Sequence, residues 1–107
     1  MFGELVREKV LNLTEEEVPH SVTCAVTKLV NKSNIMEVYV DIILERNNLK
    51  KIIIGSGGAM LKKIGQLARK DMEQLIGKQV YLELYVKTIK NWRDKEKYLQ
   101  ELGFKDF

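Results

Sequence analysis

The 107-residue chain is long enough for one domain and too short for a second catalytic domain of ordinary size. Its hydrophobic residues (45%) and charged residues (31%) are in the proportions of a globular protein, which excludes a disordered chain. One cysteine excludes an intrachain disulfide and fits the cytoplasm, and no apolar run approaches the roughly 20 residues that a membrane span needs.

Hydrophobic periodicity predicts the elements in chain order. Apolar side chains at helical spacing over residues 4–13 predict an amphipathic helix, and Pro19 closes the segment that follows it. From Val22 the period changes to two, which predicts a first strand. The polar residues 31–34 then predict a hairpin turn, and alternation over residues 38–45 predicts a second strand with one apolar face.

The middle of the chain returns to helical periodicity. Asn47 or Asn48 is expected to cap a short helix over residues 50–54, which stops at Gly55. A second amphipathic helix is predicted over residues 59–76. Its expected buried stripe consists of Leu61, Ile64, Ala68, Met72 and Leu75.

The last part of the chain predicts one strand and one helix. Gly77 stops the long helix, residues 80–87 alternate as a third strand, and residues 94–102 are predicted to form a final short helix. The order α-β-β-α-α-β-α predicts an α+β fold, a three-stranded sheet with helices packed on one face and the other face open to water. We expect residues 1–107 to form a single domain.

The net charge of +3 is unevenly distributed along the chain. Residues 1–45 carry four basic and eight acidic groups, and residues 71–107 carry seven of each. The 25 residues from 46 to 70 carry seven basic groups and no acidic one. Such a concentration is the pattern expected for a polyanion partner, although a solvated helix face is an equally good interpretation of the charge alone. The seven are Arg46, Lys50, Lys51, Lys62, Lys63, Arg69 and Lys70.

The glycine-rich segment 55–58 lies inside this basic region. Its small residues let a ligand approach the backbone, and the helix that follows directs free N–H groups and the positive end of its dipole toward the loop. Lys51, Lys62 and Lys63 flank it. Exposed amides and flanking cations together predict a cradle for a phosphate backbone.

Three kinds of phosphate-binding loop compete for this segment. A Walker loop requires Gly-Lys followed by Ser or Thr, whereas the only Gly-Lys pair, Gly77-Lys78, is followed by Gln79. The dinucleotide-binding fingerprint requires a small residue at position 60, which is Met60. The G-x-x-G loop of KH domains, which clamps single-stranded nucleic acid, fits Gly55 to Gly58, and two strands before the loop with one after it suit the type II arrangement.

Nine short runs spread from about residue 4 to residue 103 match one family in order and spacing. They are Arg7-Glu8-Lys9, Glu17-Val18-Pro19-His20-Ser21-Val22, Glu45-Arg46, Ile52-Ile53-Ile54-Gly55, Gly57-Gly58, Met60-Leu61-Lys62-Lys63-Ile64-Gly65, Ala68-Arg69-Lys70-Asp71, Val80-Tyr81-Leu82-Glu83-Leu84 and Asn91-Trp92-Arg93-Asp94-Lys95. These runs resemble the C-terminal KH domain of the Era family of bacterial ribosome-assembly GTPases.

The resemblance implies a non-enzymatic module that binds single-stranded RNA, namely the 3′ end of small-subunit (16S) ribosomal RNA during assembly of the 30S subunit. It implies no metal and no cofactor for this chain, because GTP and Mg²⁺ belong to an N-terminal GTPase domain that the chain lacks. It also implies a cytoplasmic protein without a small-molecule substrate, and peripheral membrane association for full-length members. The chain is expected to be an excised domain with Met1 as an imposed start; a free-standing KH protein with other RNA targets, or a protein-docking module, is the alternative.

The predicted RNA-binding residues combine the loop, its flanking cations and nearby apolar side chains. The loop would clamp the backbone, the lysines would neutralise phosphates, and a hydrophobic groove beside the second strand would hold the bases. The family commonly has lysine at the first variable loop position, where this chain has Ser56. The full set is Arg46, Lys51, Ile54, Gly55, Ser56, Gly57, Gly58, Met60, Lys62 and Lys63.

Overall fold

The computed structural model describes residues 2–14 and 22–90. The elements in chain order are helix α1 (Phe2–Thr14), strands β1 (Val22–Asn31) and β2 (Ile35–Leu44), a 3-10 turn (Asn47–Leu49), helix α2 (Lys50–Ile54), a second 3-10 turn (Ser56–Gly58), helix α3 (Ala59–Ile76) and strand β3 (Gln79–Thr88). The predicted α+β fold is confirmed, while the helix predicted at residues 94–102 lies outside the described residues.

The three strands form one mixed sheet in the order β1-β2-β3. The hairpin turn predicted at residues 31–34 pairs β1 with β2 in antiparallel fashion. β3 pairs with β2 in parallel, which requires the long connection through α2 and α3. β2 is therefore the central strand, and β3 is an edge strand of the described sheet.

The main core lies between the helices and one face of this sheet. The inward residues predicted for β2 are all fully buried, and α3 contributes a stripe of residues four apart. Leu75 does not belong to that stripe as predicted, because it is 53% exposed in the last turn of α3, where Ile76 makes the contact with the core instead. The central buried side chains are Val6, Val10, Val38, Val40, Ile42, Leu44, Ile53, Ile64, Ala68 and Met72.

One lysine interrupts the apolar stripe of α1 and has a partner across the helix pair. Lys9 Nζ lies 2.6 Å from Asp71 Oδ2 of α3, and the lysine side chain is 16% exposed. The hydrogen bond to Asp71 raises the pKa of Lys9 above its ordinary value. The ion pair thus links α1 to α3, and it accounts for a lysine within the apolar stripe of α1 without a ligand.

The sheet face away from the helices is less open than the alternation predicts. Ala25, Asp41 and Ile43 are buried on this face, and Ile89 packs against Ile43. The Asp41 carboxylate lies 2.8 Å from Lys87 Nζ. The prediction that this face is open to water is therefore wrong at these residues, where Ile89 packs against Ile43 and Lys87 pairs with Asp41.

The start of the short helix also differs from the prediction. Neither Asn47 nor Asn48 caps it with a side chain; the 3-10 turn runs directly into α2. Asn47 Oδ1 instead accepts a hydrogen bond from Thr88 Oγ1 at 2.9 Å. Asn47 therefore ties the start of this helical segment to the end of β3.

Cys24 of β1 packs against the core, and burial raises the pKa of its thiol to about 12. Since the thiolate is the reactive form, we expect iodoacetamide at pH 8 to alkylate the native protein at least roughly a hundredfold more slowly than the urea-unfolded chain. Equal rates would contradict this expectation.

The raised pKa of the Cys24 thiol also makes the stability of the fold depend on pH. The thiol of the unfolded chain ionises above about pH 8.5, whereas that of the folded chain ionises near pH 12. The free energy of unfolding is therefore unaffected by this thiol below about pH 8.5 and falls as the pH rises from there toward 12.

Candidate nucleic-acid interface

The loop between α2 and α3 is built on three glycines with positive φ. The φ angles of Gly55, Gly57 and Gly58 are +76°, +61° and +81°. The Gly55 amide donates to the Lys51 carbonyl at 2.9 Å and ends α2, and the Gly58 amide donates to the Gly55 carbonyl at 3.3 Å. Residues that carry a Cβ atom rarely adopt such backbone angles, so the conformation of this turn requires glycine.

Gly55 has a second, steric reason to be glycine. A Cβ atom at this position would lie 2.6 Å from Met60 Cβ and 2.8 Å from the Met60 backbone nitrogen. Met60 is half-buried against the core. Gly55 and Met60, both predicted RNA-binding residues, thus hold the end of α2 close to the first turn of α3.

Gly57 and Gly58 face open space. A Cβ atom at either position would meet nothing within 4 Å, and Ser56 beside them is exposed. No side chain caps the N-terminus of α3. The Gly58 and Ala59 amides donate to the Gly55 and Ser56 carbonyls within the turn, which leaves the next N–H groups of the first helical turn to bind an anion. The tip of the loop and the positive end of a long helix dipole therefore meet on an accessible surface, the arrangement that binds phosphate.

Four of the predicted RNA-binding residues are cations. Arg46, Lys51, Lys62 and Lys63 are all exposed. The ion pairs formed within the described segments involve other lysines. These four side chains are therefore available to an anion, whereas Ile54, half-buried at the end of α2, offers part of an apolar surface.

A groove of about 690 Å³ begins at Gly58 and runs between α3 and β3. The sequence predicted a groove beside the second strand; this groove touches β2 at its first residue, Ile35, because both edges of β2 are paired with other strands. The lining of the groove comprises Leu61, Lys62, Gly65, Gln66 and Arg69 of α3, Gln79, Val80, Tyr81, Leu82, Glu83 and Leu84 of β3, Ile35 of β2, and Gly58 of the loop.

The wall of the groove formed by β3 presents backbone as well as side chains. The Ile89 amide donates to Leu44 of β2, whereas the Val80 amide turns the other way and donates to the Glu73 carboxylate of α3 at 2.9 Å. Because successive residues of a strand direct their N–H and C=O groups to opposite edges, Leu82 and Leu84 direct theirs toward the groove. This edge offers donors and acceptors at a fixed spacing.

The groove contains a cation, Arg69, and a wall, formed by β3, that are not in the predicted RNA-binding set. Arg69 lines the groove with Lys62 and Gln66. The spacing of three to four residues between these positions places them on one helix face and was a usable signal. No such signal existed for β3, because edge position is a property of the sheet order.

The described residues show no candidate metal site and no membrane-spanning helix. Residues 2–14 and 22–90 contain no group of three or more His, Cys, Asp or Glu side chains able to hold a metal ion. None of the helices in these segments combines the length and the apolar character needed to cross a bilayer.

A G-x-x-G loop between two helices, opening into a groove beside an edge strand, defines a KH domain. The sequence model of the KH-domain family matches residues 17–93, and the chain belongs to this family. The chain is also similar to Aquifex aeolicus Era bound to GDP and AlF4⁻, at 40% identity and a TM-score of 0.86. Its similarity to Era in complex with MgGDPNP and nucleotides 1506–1542 of 16S ribosomal RNA is 40% identity with a TM-score of 0.87.

Both Era matches cover 96% of this chain and 35% of the Era chain, so the protein spans about a third of the length of these structures. The resemblance to the KH domain of Era, predicted from the nine runs, is confirmed.

Proposed function

We propose that this chain is a single RNA-binding domain that binds the single-stranded 3′ end of 16S ribosomal RNA in the cytoplasm, as part of 30S subunit assembly, and performs no catalytic step of its own. The observation that carries the proposal is the open Gly57–Gly58 turn, which leads directly into the groove between α3 and β3, the edge strand of the described sheet. The Era complex with nucleotides 1506–1542 of 16S ribosomal RNA supports this target.

In this proposal the loop binds the RNA backbone. Amides of the turn and of the first turn of α3, other than those of Gly58 and Ala59, donate to phosphate oxygens, at no cost in side-chain ordering. Lys62 and Lys63 follow within the first turns of α3 and neutralise phosphate charge, while Lys51 approaches from α2. Ser56 adds no cation, so these lysines supply the charge beside the loop.

The groove holds the bases that the loop positions. Leu61 and the apolar part of β3 provide a floor against which flat bases can pack. The N–H and C=O groups of Leu82 and Leu84 lie where base edges would pass, so specificity comes from backbone hydrogen bonds of fixed geometry. Gln66 at the opposite wall can donate or accept and thus match either kind of base edge.

The test is a fluorescence anisotropy titration with RNA of the sequence of 16S nucleotides 1506–1542 and with a shuffled RNA of the same composition. We expect saturable binding that favours the natural sequence. Neutralising about four phosphates at ~0.7 each predicts a slope near −3 for log affinity against log salt. Equal affinity for both RNAs would refute the proposed target, and no binding at low salt would refute RNA binding itself.

Adjacent cations on α3 provide a matched pair for locating the site. Arg69 lines the groove, whereas Lys70 is exposed outside it, and both changes to glutamine remove one charge. We expect Arg69→Gln to weaken binding by about tenfold and to make the salt slope less steep by about 0.7. Lys70→Gln should change affinity by no more than about twofold. Equal effects of the two substitutions would show that the helix attracts RNA only by its overall charge.

A further inference from the structure

Three tyrosines stand on the sheet face opposite the helices. Tyr81 and Tyr85 of β3 are 46% and 47% exposed, and Tyr39 of β2 lies beside Tyr81. Aromatic rings on an open sheet surface are a common platform for unstacked nucleobases.

Tyr81 is held in place by a fixed neighbour. The rings of Tyr39 and Tyr81 meet edge to face, with centroids 6.2 Å apart and planes at 62°. Tyr39 is held in turn, because its hydroxyl donates to the Glu37 carboxylate at 3.0 Å and Lys28 Nζ lies 5.5 Å from its ring centroid. Tyr81 therefore rests against a held ring while almost half of its own surface stays open.

Tyr81 also belongs to the groove. It lines the groove between α3 and β3 and at the same time stands on the outer face, so the two surfaces are continuous around the edge of β3. α3 leads through Gly77 into β3, so the start of β3 lies beside the later turns of α3 and away from the G-x-x-G loop. An RNA strand that is bound at Gly58 and follows the groove would therefore leave the groove near Tyr81.

We propose that RNA leaving the groove crosses the edge of β3 and stacks one base on Tyr81. This inference rests on the proposed RNA-binding function and extends its binding site from the groove to the outer face of the sheet. The G-x-x-G loop of a KH domain clamps about four nucleotides, so the stacked base lies beyond that tetranucleotide.

The charges near Tyr81 favour stacking over phosphate binding. Lys32 and Lys87 on this face are paired with Glu37 and Asp41 at 2.7 and 2.8 Å. Glu83, between the two exposed tyrosines, is acidic, and its hydrogen bond is the main cause that raises the pKa of Tyr85. A base contact here adds affinity without neutralising further phosphates, so it does not steepen the salt dependence.

The experiment is an NMR titration of the protein with a tetranucleotide from the best-bound RNA and with heptanucleotides that extend it at the 5′ or the 3′ end. We expect one heptanucleotide to bind at least about fivefold more tightly than the tetranucleotide, at the same salt slope. Its binding should shift the ring protons of Tyr81 upfield, as stacking on a base does, and leave those of Tyr85 nearly unchanged.

Substitutions at the two exposed tyrosines separate the outcomes. Tyr81→Leu should abolish the difference in affinity between the heptanucleotide and the tetranucleotide, Tyr81→Phe should retain this difference, and Tyr85→Leu serves as the matched control on the same strand and face. If the tetranucleotide binds and Tyr81→Leu changes the affinity for none of the RNA lengths, this inference alone would be overturned. The outer face of the sheet would then be assigned to a protein partner. Failure of the unsubstituted protein to bind any of these RNAs would overturn the proposed function as well.

Discussion

Replacing Gly57 and Gly58 together by aspartate is expected to lower RNA affinity by at least about a hundredfold while the protein stays folded. Two carboxylates at the tip of the loop would face the phosphates, and like charges in contact cost several kcal/mol. The fold tolerates the change because a Cβ atom at either position meets nothing within 4 Å. Aspartate is also among the residues that adopt positive φ most readily.

The matched control is Gly77→Asp. Gly77 has a φ of +70° and equally open surroundings, but it follows the end of α3 instead of preceding its start. α3 has 18 residues, so the two sites lie about 27 Å apart along the helix axis. The control should show a similar small loss of stability per site in urea and keep most of its RNA affinity.

Circular dichroism and anisotropy titrations on these variants decide the role of the loop. A native spectrum together with unchanged RNA binding in the double variant would show that the loop is not the site. Abolished binding in Gly77→Asp would show that added negative charge anywhere near the groove has the same effect.

Gly55→Ala is expected to cause the largest loss of stability of any single change in the loop, about 3 kcal/mol in the free energy of unfolding. Gly55 combines a φ of 76° with a ψ of 179°, a region that is populated essentially by glycine alone. The added methyl group would also lie 2.6 Å from Met60 Cβ. Relief would require α2 and the first turn of α3 to move apart.

Gly57→Ala is the control for this prediction. Gly57 lies near the left-handed helical region, with φ 61° and ψ 21°, and a methyl group there meets no atom within 4 Å. Its expected loss is about 1 kcal/mol, the cost of the backbone angle alone. Urea unfolding of the two variants measures the difference, and equal losses would contradict the steric role of Gly55.

Local patterns were enough to predict most elements and one half of the site. Alternation placed Val38 to Leu44 on a buried face because strand side chains point to opposite sides, and this holds whichever strands are its neighbours. The glycine loop and its lysines were found in the same way, since their spacing lies within one stretch of chain. The errors arose where burial depends on distant residues, at Leu75 and on the outer face at Asp41 and Ile43.

The sequence by itself determined the composition of the loop, the concentration of basic residues around it and the order of helices and strands, because each of these is a property of neighbouring residues. Only the tertiary structure decided where the groove lies. The parallel pairing of β3 with β2 leaves β3 at the edge, turns Leu82 and Leu84 toward α3 and brings Arg69 into the groove. Sheet order arises from contacts between residues far apart in the chain, and no local period encodes it.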